Sequence, residues 1–597
     1  MTKDLQAALD AEPDNPEAKA LLHQRSVAVE KLLSPLPINK DRFSIEIWRE
    51  IALSLPRRDL KSLLFVPHVI SRVASQLLFR ELDLHFGELK YSSTDEDDDW
   101  RSHEAHARAD DAARHAQRSA DILTRIIVDP AFAHCVRMLR IFASTRDGGL
   151  AFQTGMLTNA LPKLVNLHNV HISSGAEGLP PVLRILQSTN PRLCELSLQS
   201  PDYPADLSFL DFRYISHFTY TSPPVPTQTN SSTLAYSSLQ NVVSSNRTTL
   251  RTINLFTPSW PFPSHSISIR NLTRIHFAGT FPANQSSSSS SHSTSGAYIP
   301  PQVISELIEH GRQLESLSVD CTLLENATLS AQFRTDPIPP IHPHPLPFLR
   351  HFTFAVRALG RRTVDKDLFP SITSFLRGRS QLQTLQLVVD TTPSTPYSSN
   401  GVGGVISSLN LEAVGYDASI WGLLPSLGGL KAVRMTYPRD LAPGLAGWLI
   451  PRSVTALGME IGAQRLSAGL DGAPGSAGPD VVGFFSQLKP GLPPDLRFVY
   501  LNDIPVSTRI VHAIVEHGFP MVRVIRVGSW FWTVSRKQSG GGAGAGGMLE
   551  LEPWPMRRVV YHAAEWLEWL GCEEAAAAAL GTTREAEAEG VGVGIFR

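Results

Sequence analysis

The residues that could do chemistry in this chain are few, and their spacing is poor for it. His342-Pro-His344 places two imidazoles close together, but in a proline-rich stretch without the helical spacing or the carboxylate that would complete a metal site. Glu309-His310 and Glu516-His517 close apolar-faced segments, where a histidine interacts favourably with the end of a helix dipole. The four cysteines, Cys135, Cys194, Cys321 and Cys572, lie far apart and include no CxxC pair. They suggest reduced core thiols rather than a zinc site or a disulfide framework. Gly401-Val-Gly403-Gly404 and the glycine tract Gly540–Gly547 lack the GxxxxGK[ST] spacing of a phosphate-binding loop and read as linkers. No GxSxG elbow or HExxH pair appears. The sequence offers no catalytic residue, no metal ligand and no cofactor-binding fingerprint.

What the chain does offer is pattern. In Phe43–Leu84, Ile47, Ile51 and Leu55 recur at every fourth position and line one face of a helix. Pro56 follows, and Asp59 can cap a second helix carrying Leu60, Leu63 and Leu64. Pro67 breaks that helix, and a third, Val69–Phe79, leads into the alternating run Leu82-Asp83-Leu84. Three helices this short cannot bury all of that apolar surface among themselves, so the module needs something to cover it.

The order of these elements resembles an F-box, the helical motif that docks on the Skp adaptor of cullin–RING ubiquitin ligases. The likeness rests on Glu46-Ile47, the Ile51 and Leu55 spacing, the Arg58-Asp59-Leu60 start and the Leu63–Val66 run. It implies that Phe43, Ile47, Trp48, Ile51, Leu55, Leu60 and Leu63 supply the surface that meets the adaptor. One departure stands out: Phe43-Ser44 occupies the place of the family's usual Leu-Pro. Phenylalanine fills an apolar pocket as leucine does, but serine does not fix the backbone as proline would.

Downstream, a triplet of the form apolar-x-x-apolar-x-apolar returns from Phe79/Leu82/Leu84 and Val136/Leu139/Ile141 through to Val522/Ile525/Val527. At 42% hydrophobic content, such a triplet arises by chance in roughly 7 of 100 windows, so periodicity must carry the case. Four starts, Leu382, Ile406, Leu430 and Val454, are spaced by 24 residues. Before several triplets stands an apolar-faced helix and a turn residue: Val303–His310 and Gly311, Ile372–Arg377 and Gly378, Ile510–His517 and Gly518, Pro180–Gln187 and Asn190. Helix, turn and short strand repeated in this way predict an α/β solenoid. The asparagine usual after a leucine-rich-repeat strand is mostly missing; Pro201, Pro258, Thr322 and Asp390 take its place. An irregular solenoid is therefore expected, similar in plan to fungal F-box proteins with degenerate leucine-rich repeats.

The predicted fold class is α/β, an N-terminal three-helix F-box-like motif followed by an irregular leucine-rich-repeat-like solenoid. The expected divisions are a helical extension (1–36), the F-box-like motif (37–86) and an acidic, mobile insert (87–120) around Asp95–Asp99, with helix resuming at Ala120. The solenoid follows (121–560), with loops at Ser286–Ser291, Thr391–Gly404 and Ala468–Gly478. Last come a helix over Tyr561–Leu580 that caps the final repeat, and a tail (561–597). A formal charge of −2 argues against nucleic acid as partner. Residues 1–33 show no apolar signal core, and no run reaches the ~18 apolar residues of a membrane span. The expectation is a cytoplasmic or nuclear protein without cofactor. The sequons at Asn246 and Asn271 are then chance matches. The resemblance implies a substrate receptor whose partners are the Skp adaptor and an unknown target protein. The competing readings are an interaction scaffold whose first helices only cap the array, and a hydrolase or transferase on the same scaffold.

Overall fold

The computed structural model describes residues 44–86 (save 54, 56, 67 and 68), 101–143, 150–222 (save 176 and 201–204), 239–259, 269–281, 303–334 (save 324–327), 345–389 (save 360–363), 411–461, 481–537 (save 503 and 505–507), 548–554 and 563–575 (save 564 and 565). Residues 1–43, the acidic run Asp95–Asp99, His342-Pro-His344, the four Ser-, Pro- or Gly-rich loops and the tail beyond 575 lie outside the described residues.

Sixteen strands form one open sheet and lie in it in the order of the chain. The first eight are β1 (Glu81–Phe86), β2 (Met138–Ala143), β3 (Asn169–Ser174), β4 (Glu195–Gln199), β5 (His217–Thr221), β6 (Thr252–Ser259), β7 (Arg274–Phe281) and β8 (Ser316–Leu323). The rest are β9 (His351–Leu359), β10 (Thr384–Val389), β11 (Ala432–Thr436), β12 (Ala456–Glu460), β13 (Phe498–Asn502), β14 (Val524–Val527), β15 (Trp530–Lys537) and β16 (Met548–Pro553). Pairing is parallel through β14, as connections that return across a layer of helices require. β14, β15 and β16 pair antiparallel.

Register follows the triplets. The middle residue of each lies opposite that of the next, from Leu82↔Leu139 through Ile275↔Leu317 and Phe352↔Leu385 to Val499↔Ile525. Leu82 is 6% exposed and the other seven at most 1%. This row, with the third residues of the triplets, faces one continuous core closed by the intervening helices, including Leu183 and Leu186, Leu307, Ile372, Ile514 and Val515. The helix Val303–His310 forms as expected, and those at 368–376 and 508–517 start a few residues early. Gly378 ends the second of these with φ +83°, a left-handed conformation that a β-carbon disfavours. At Gly311 the constraint is space, since a β-carbon would lie 2.5 Å from the Leu307 carbonyl oxygen.

Several expectations need correction. The sheet begins at Glu81 rather than near residue 121, because Leu82 and Leu84 pair with Leu139 and Ile141. The first helix after β1, α4, spans Arg101–Val128 and so runs back well before Ala120 into the insert expected to be mobile; its many alanines and arginines favour helix. Ile406/Leu409/Leu411 adds no strand between β10 and β11. Ile406 and Leu409 lie outside the described residues, Leu411 opens a 3-10 turn, and β10 pairs directly with β11. The spacing of 24 was a coincidence there. The longer unit is filled by Tyr416 and Trp421, whose hydroxyl and indole N–H both donate to the Thr436 carbonyl, at 2.8 and 3.0 Å. Where the turn asparagine is missing, the backbone stays extended: Pro258 lies inside β6 and Thr322 inside β8. Asn246, part of a sequon, is 1% exposed; its amide donates to the Phe212 and Val242 carbonyls and its oxygen accepts from the Ile215 amide. No glycan fits there. Among the described residues, no helix is long and apolar enough to cross a membrane.

Candidate functional site

The N-terminal helices α1 (Ile45–Leu53), α2 (Arg57–Leu63) and α3 (Val69–Leu78) have a small core of their own, made of Ala52, Leu60, Val73, Ala74 and Leu78. Trp48, Leu55, Leu63, Leu64 and Leu77 pack half-buried against it. Ser44, which stands where proline was expected, starts α1: its carbonyl accepts from the Trp48 amide at 3.2 Å. Its hydroxyl also holds the Glu46 carboxyl below the usual range.

Of the seven residues singled out from sequence, Phe43 lies outside the described residues. Ile47 and Ile51 are 44% and 39% exposed, Trp48, Leu55 and Leu63 are half-buried, and Leu60 is turned inward at 7%. The structure therefore divides the expected surface. Trp48 and Leu55 face the small core, as Leu60 does, while Ile47 and Ile51 stay open. Ile45 and Leu53 on the same helix, and Phe65 and Val66 just after α2, are also exposed. Sequence reasoning passed over Ile45 and Leu53 because it assumed one apolar face per helix, whereas α1 is apolar on more than one; Phe65 and Val66 lay in the Leu63–Val66 run but were not assigned to the surface.

The second candidate surface is the face of the sheet opposite the main core. Between the core-facing positions the strands alternate to polar residues, as period-two geometry demands. Neighbouring strands join these into cross-strand pairs. Arg140 on β2 meets Glu81 and Asp83 on β1 at 3.1 and 3.4 Å. Asn169 donates to Glu195 at 2.7 Å, and His171 lies 2.8 Å from the Ser197 hydroxyl. Asp320 holds the Arg357 guanidinium at 2.9 Å, and Arg434 pairs with Glu460 at 2.7 Å. The Arg434–Glu460 pair is buried on both sides, and Arg434 also lies over the Tyr500 ring at 5.1 Å. His351 lies 3.0 Å from the Thr384 hydroxyl; burial first, then Arg274, pushes its pKa down.

At one end this face is already covered. The first strand residues of β11 to β14 are apolar, Ala432, Ala456, Phe498 and Val524, where β3 to β10 carry Asn169, Glu195, His217, Thr252, Arg274, Ser316, His351 and Thr384. Ala563, Leu567, Cys572 and Ala575 of the C-terminal segment pack on that apolar row together with Phe531 and Trp554. The segment does not form one helix to Leu580 that caps the last repeat. The helical residues 566–569 are followed by a break at Gly571, whose φ is +68°, and the described part of the segment lies across the second face of the sheet. The switch from polar to apolar first residues was the sequence signal for this seat. The Cys572 thiol beneath it is pushed up to about 11, chiefly by burial.

Among the described residues, no group of three His, Cys, Asp or Glu side chains could hold a metal. These surfaces present open aliphatic groups at α1, and paired polar and charged groups along the sheet. Compared with known proteins, the chain matches no family model and no curated protein.

Proposed function

We propose that this chain is the substrate-recognition subunit of a Skp–cullin–F-box ubiquitin ligase. Helices α1–α3 dock the Skp adaptor, and the sheet, read as a leucine-rich-repeat-like solenoid, holds the target protein. The ligase chemistry then belongs to the partners, and this chain contributes proximity by raising the effective concentration of a target lysine. The observation that carries the reading is the exposure of Ile45, Ile47, Ile51 and Leu53 on a helical cluster that already has a core. A group of open aliphatic side chains on a small N-terminal module calls for a protein surface to cover it. Branched aliphatic groups beside half-buried Trp48 supply the desolvated centre that such interfaces need.

The test is co-purification of the full chain with the Skp adaptor. Ile47→Asp with Ile51→Asp should abolish capture, because each new carboxylate would be desolvated without a partner. Capture at the wild-type level by a folded double variant would refute the proposal. The scaffold reading keeps one observation in its favour: α3 runs directly into β1, and Phe79 meets Phe132 at a tilt, 5.0 Å between ring centroids, with the Arg125 guanidinium over both rings. Global unfolding of the double variant would favour that reading, in which the three helices are only a cap.

A further inference from the structure

The residue just before each parallel strand belongs to another continuous row, along the edge where the strands begin. Each carbonyl in it but the last accepts two amides at the start of the next strand, as Arg80 does from Arg137 and Met138 at 2.8 and 3.0 Å. The same pattern recurs to Arg497, which accepts from Arg523 and Val524 at 2.8 and 3.1 Å. Half of the row's members are arginine or lysine, and Glu315 is its one carboxylate.

The far end of the row shows what it can hold. Arg523 Nη1 donates to the Leu570 carbonyl and Arg497 Nη1 to the Gly571 carbonyl, each at 3.0 Å. The Lys431 ammonium lies 3.3 Å from the Glu574 carboxylate. Residues 570–574 therefore cross β14 to β11 with oxygen atoms set on successive cations of the edge. Beyond Lys431 the row's cations continue as Arg350 before β9 and Arg251 before β6, with Arg274, the first residue of β7, between them; all three are exposed. Arg251 spends one donor on the Asn271 carbonyl at 3.2 Å, and its guanidinium has others.

We propose that Arg251, Arg274 and Arg350 dock an extended acidic segment of a partner protein, laid across β9 to β6 in continuation of the track that residues 570–574 follow over β14 to β11. Strands repeat about every 4.8 Å across a sheet, and alternate side chains of an extended peptide repeat about every 6.8 Å. Carboxylates on one side of such a segment can thus reach successive guanidinium groups, which are suited to bidentate carboxylate binding. Glu315, before β8 and between Arg274 and Arg350, imposes selectivity, since the segment must carry a neutral residue there. The inference uses only the edge of the sheet and does not rest on the adaptor reading; the two are measured separately.

The experiment is fluorescence anisotropy on the full chain with a fluorescein-labelled peptide of alternating Glu and Gly, and its Lys-Gly counterpart as control. The acidic peptide should bind, and the basic one should not. Binding should weaken as salt is raised. Arg251→Ala, Arg274→Ala and Arg350→Ala combined should weaken it about tenfold, the sum of three exposed ion pairs. Glu315→Gln should tighten it, a readout of opposite sign that survives if the triple variant misfolds. Absence of binding, or binding that neither variant changes, would overturn the proposal. Binding that appears only after residues 576–597 are removed would also overturn it, by assigning the row to the chain's own Glu585, Glu587 and Glu589.

Discussion

Helix α1 and the turn at 566–575 are built from similar material, aliphatic side chains beside a tryptophan, and they end in opposite surroundings. On α1, Ile47 and Ile51 are 44% and 39% exposed; in the C-terminal turn, Leu567 is 2% exposed and Ala575 fully buried. The difference lies in what each meets. The turn finds an apolar row, Ala432, Ala456, Phe498 and Val524, that interrupts an otherwise polar sheet face. Helix α1 packs on α3 and leaves its remaining aliphatic groups open. Among the described residues nothing covers Ile47 and Ile51 as the apolar row covers Leu567. Trp569 marks the limit of the contrast, since it is 66% exposed even though its ring meets Trp566 edge-on at 4.9 Å.

The comparison breaks if the covered face is not stabilised by what lies on it. Arg434, buried between Glu460 and Tyr500, gives the largest expected effect. Arg434→Ala leaves the Glu460 carboxylate buried without its partner and should cost about 3–5 kcal/mol in urea denaturation. A loss below about 1 kcal/mol would mean that water reaches this pair. In the main core, Leu317→Ala and Leu385→Ala should each cost ~2–5 kcal/mol, as for other enclosed leucines. Both residues are 0% exposed. A change near zero would contradict the register drawn across β8 to β10.

The seat of the C-terminal segment is tested more gently. Leu567→Ser should lift the turn from the sheet at a cost of about 2 kcal/mol, at the low end for a buried leucine because the segment can detach without opening the main core. With its thiol pushed up to about 11, Cys572 holds roughly one thiolate per thousand molecules at about pH 8, and iodoacetamide should leave it largely unmodified. In the Leu567→Ser variant, burial no longer disfavours the thiolate and alkylation should accelerate. Mass spectrometry of the Cys572 peptide reads both states, and equal labelling in both would show that the seat does not protect the thiol.

Much of this architecture was legible beforehand, and the failures have physical causes. The triplets located the strands because a core-facing strand needs alternating apolar residues, and Leu314/Leu317/Val319 or Leu496/Val499/Leu501 do what their spacing implies. Ile406/Leu409/Leu411 satisfied the same pattern, yet β10 pairs directly with β11, and Tyr416 and Trp421 fill the space beside them. The antiparallel end formed by β15 and β16 escaped notice, since alternation is the same in either direction of pairing. For the N-terminal helices, the spacing of Ile47, Ile51 and Leu55 located α1 but not its orientation. Helical periodicity separates an apolar face from a polar one, and α1 is apolar on several sides. The edge row and its cations were hidden for another reason: each member stands alone in sequence, and only register places Arg251, Arg350 and Lys431 on one line.

The smallest expected effect sharpens the comparison most. Ile47→Ser together with Ile51→Ser removes two aliphatic side chains from α1, yet stability should change by no more than about half a kcal/mol, because exposed positions contribute little to folding. Leu567→Ser, chemically alike, should cost several times more. Helix propensity works slightly against the double change but is about equal for Ile and Ser, so the result reports burial rather than backbone preference. Thermal melts of the two variants, run beside the unaltered chain, provide the measurement. If the α1 pair proves as destabilising as the Leu567 change, Ile47 and Ile51 are covered within the chain and the open surface at α1 does not exist. If the pair is neutral to stability while adaptor capture is lost, the surface serves binding alone.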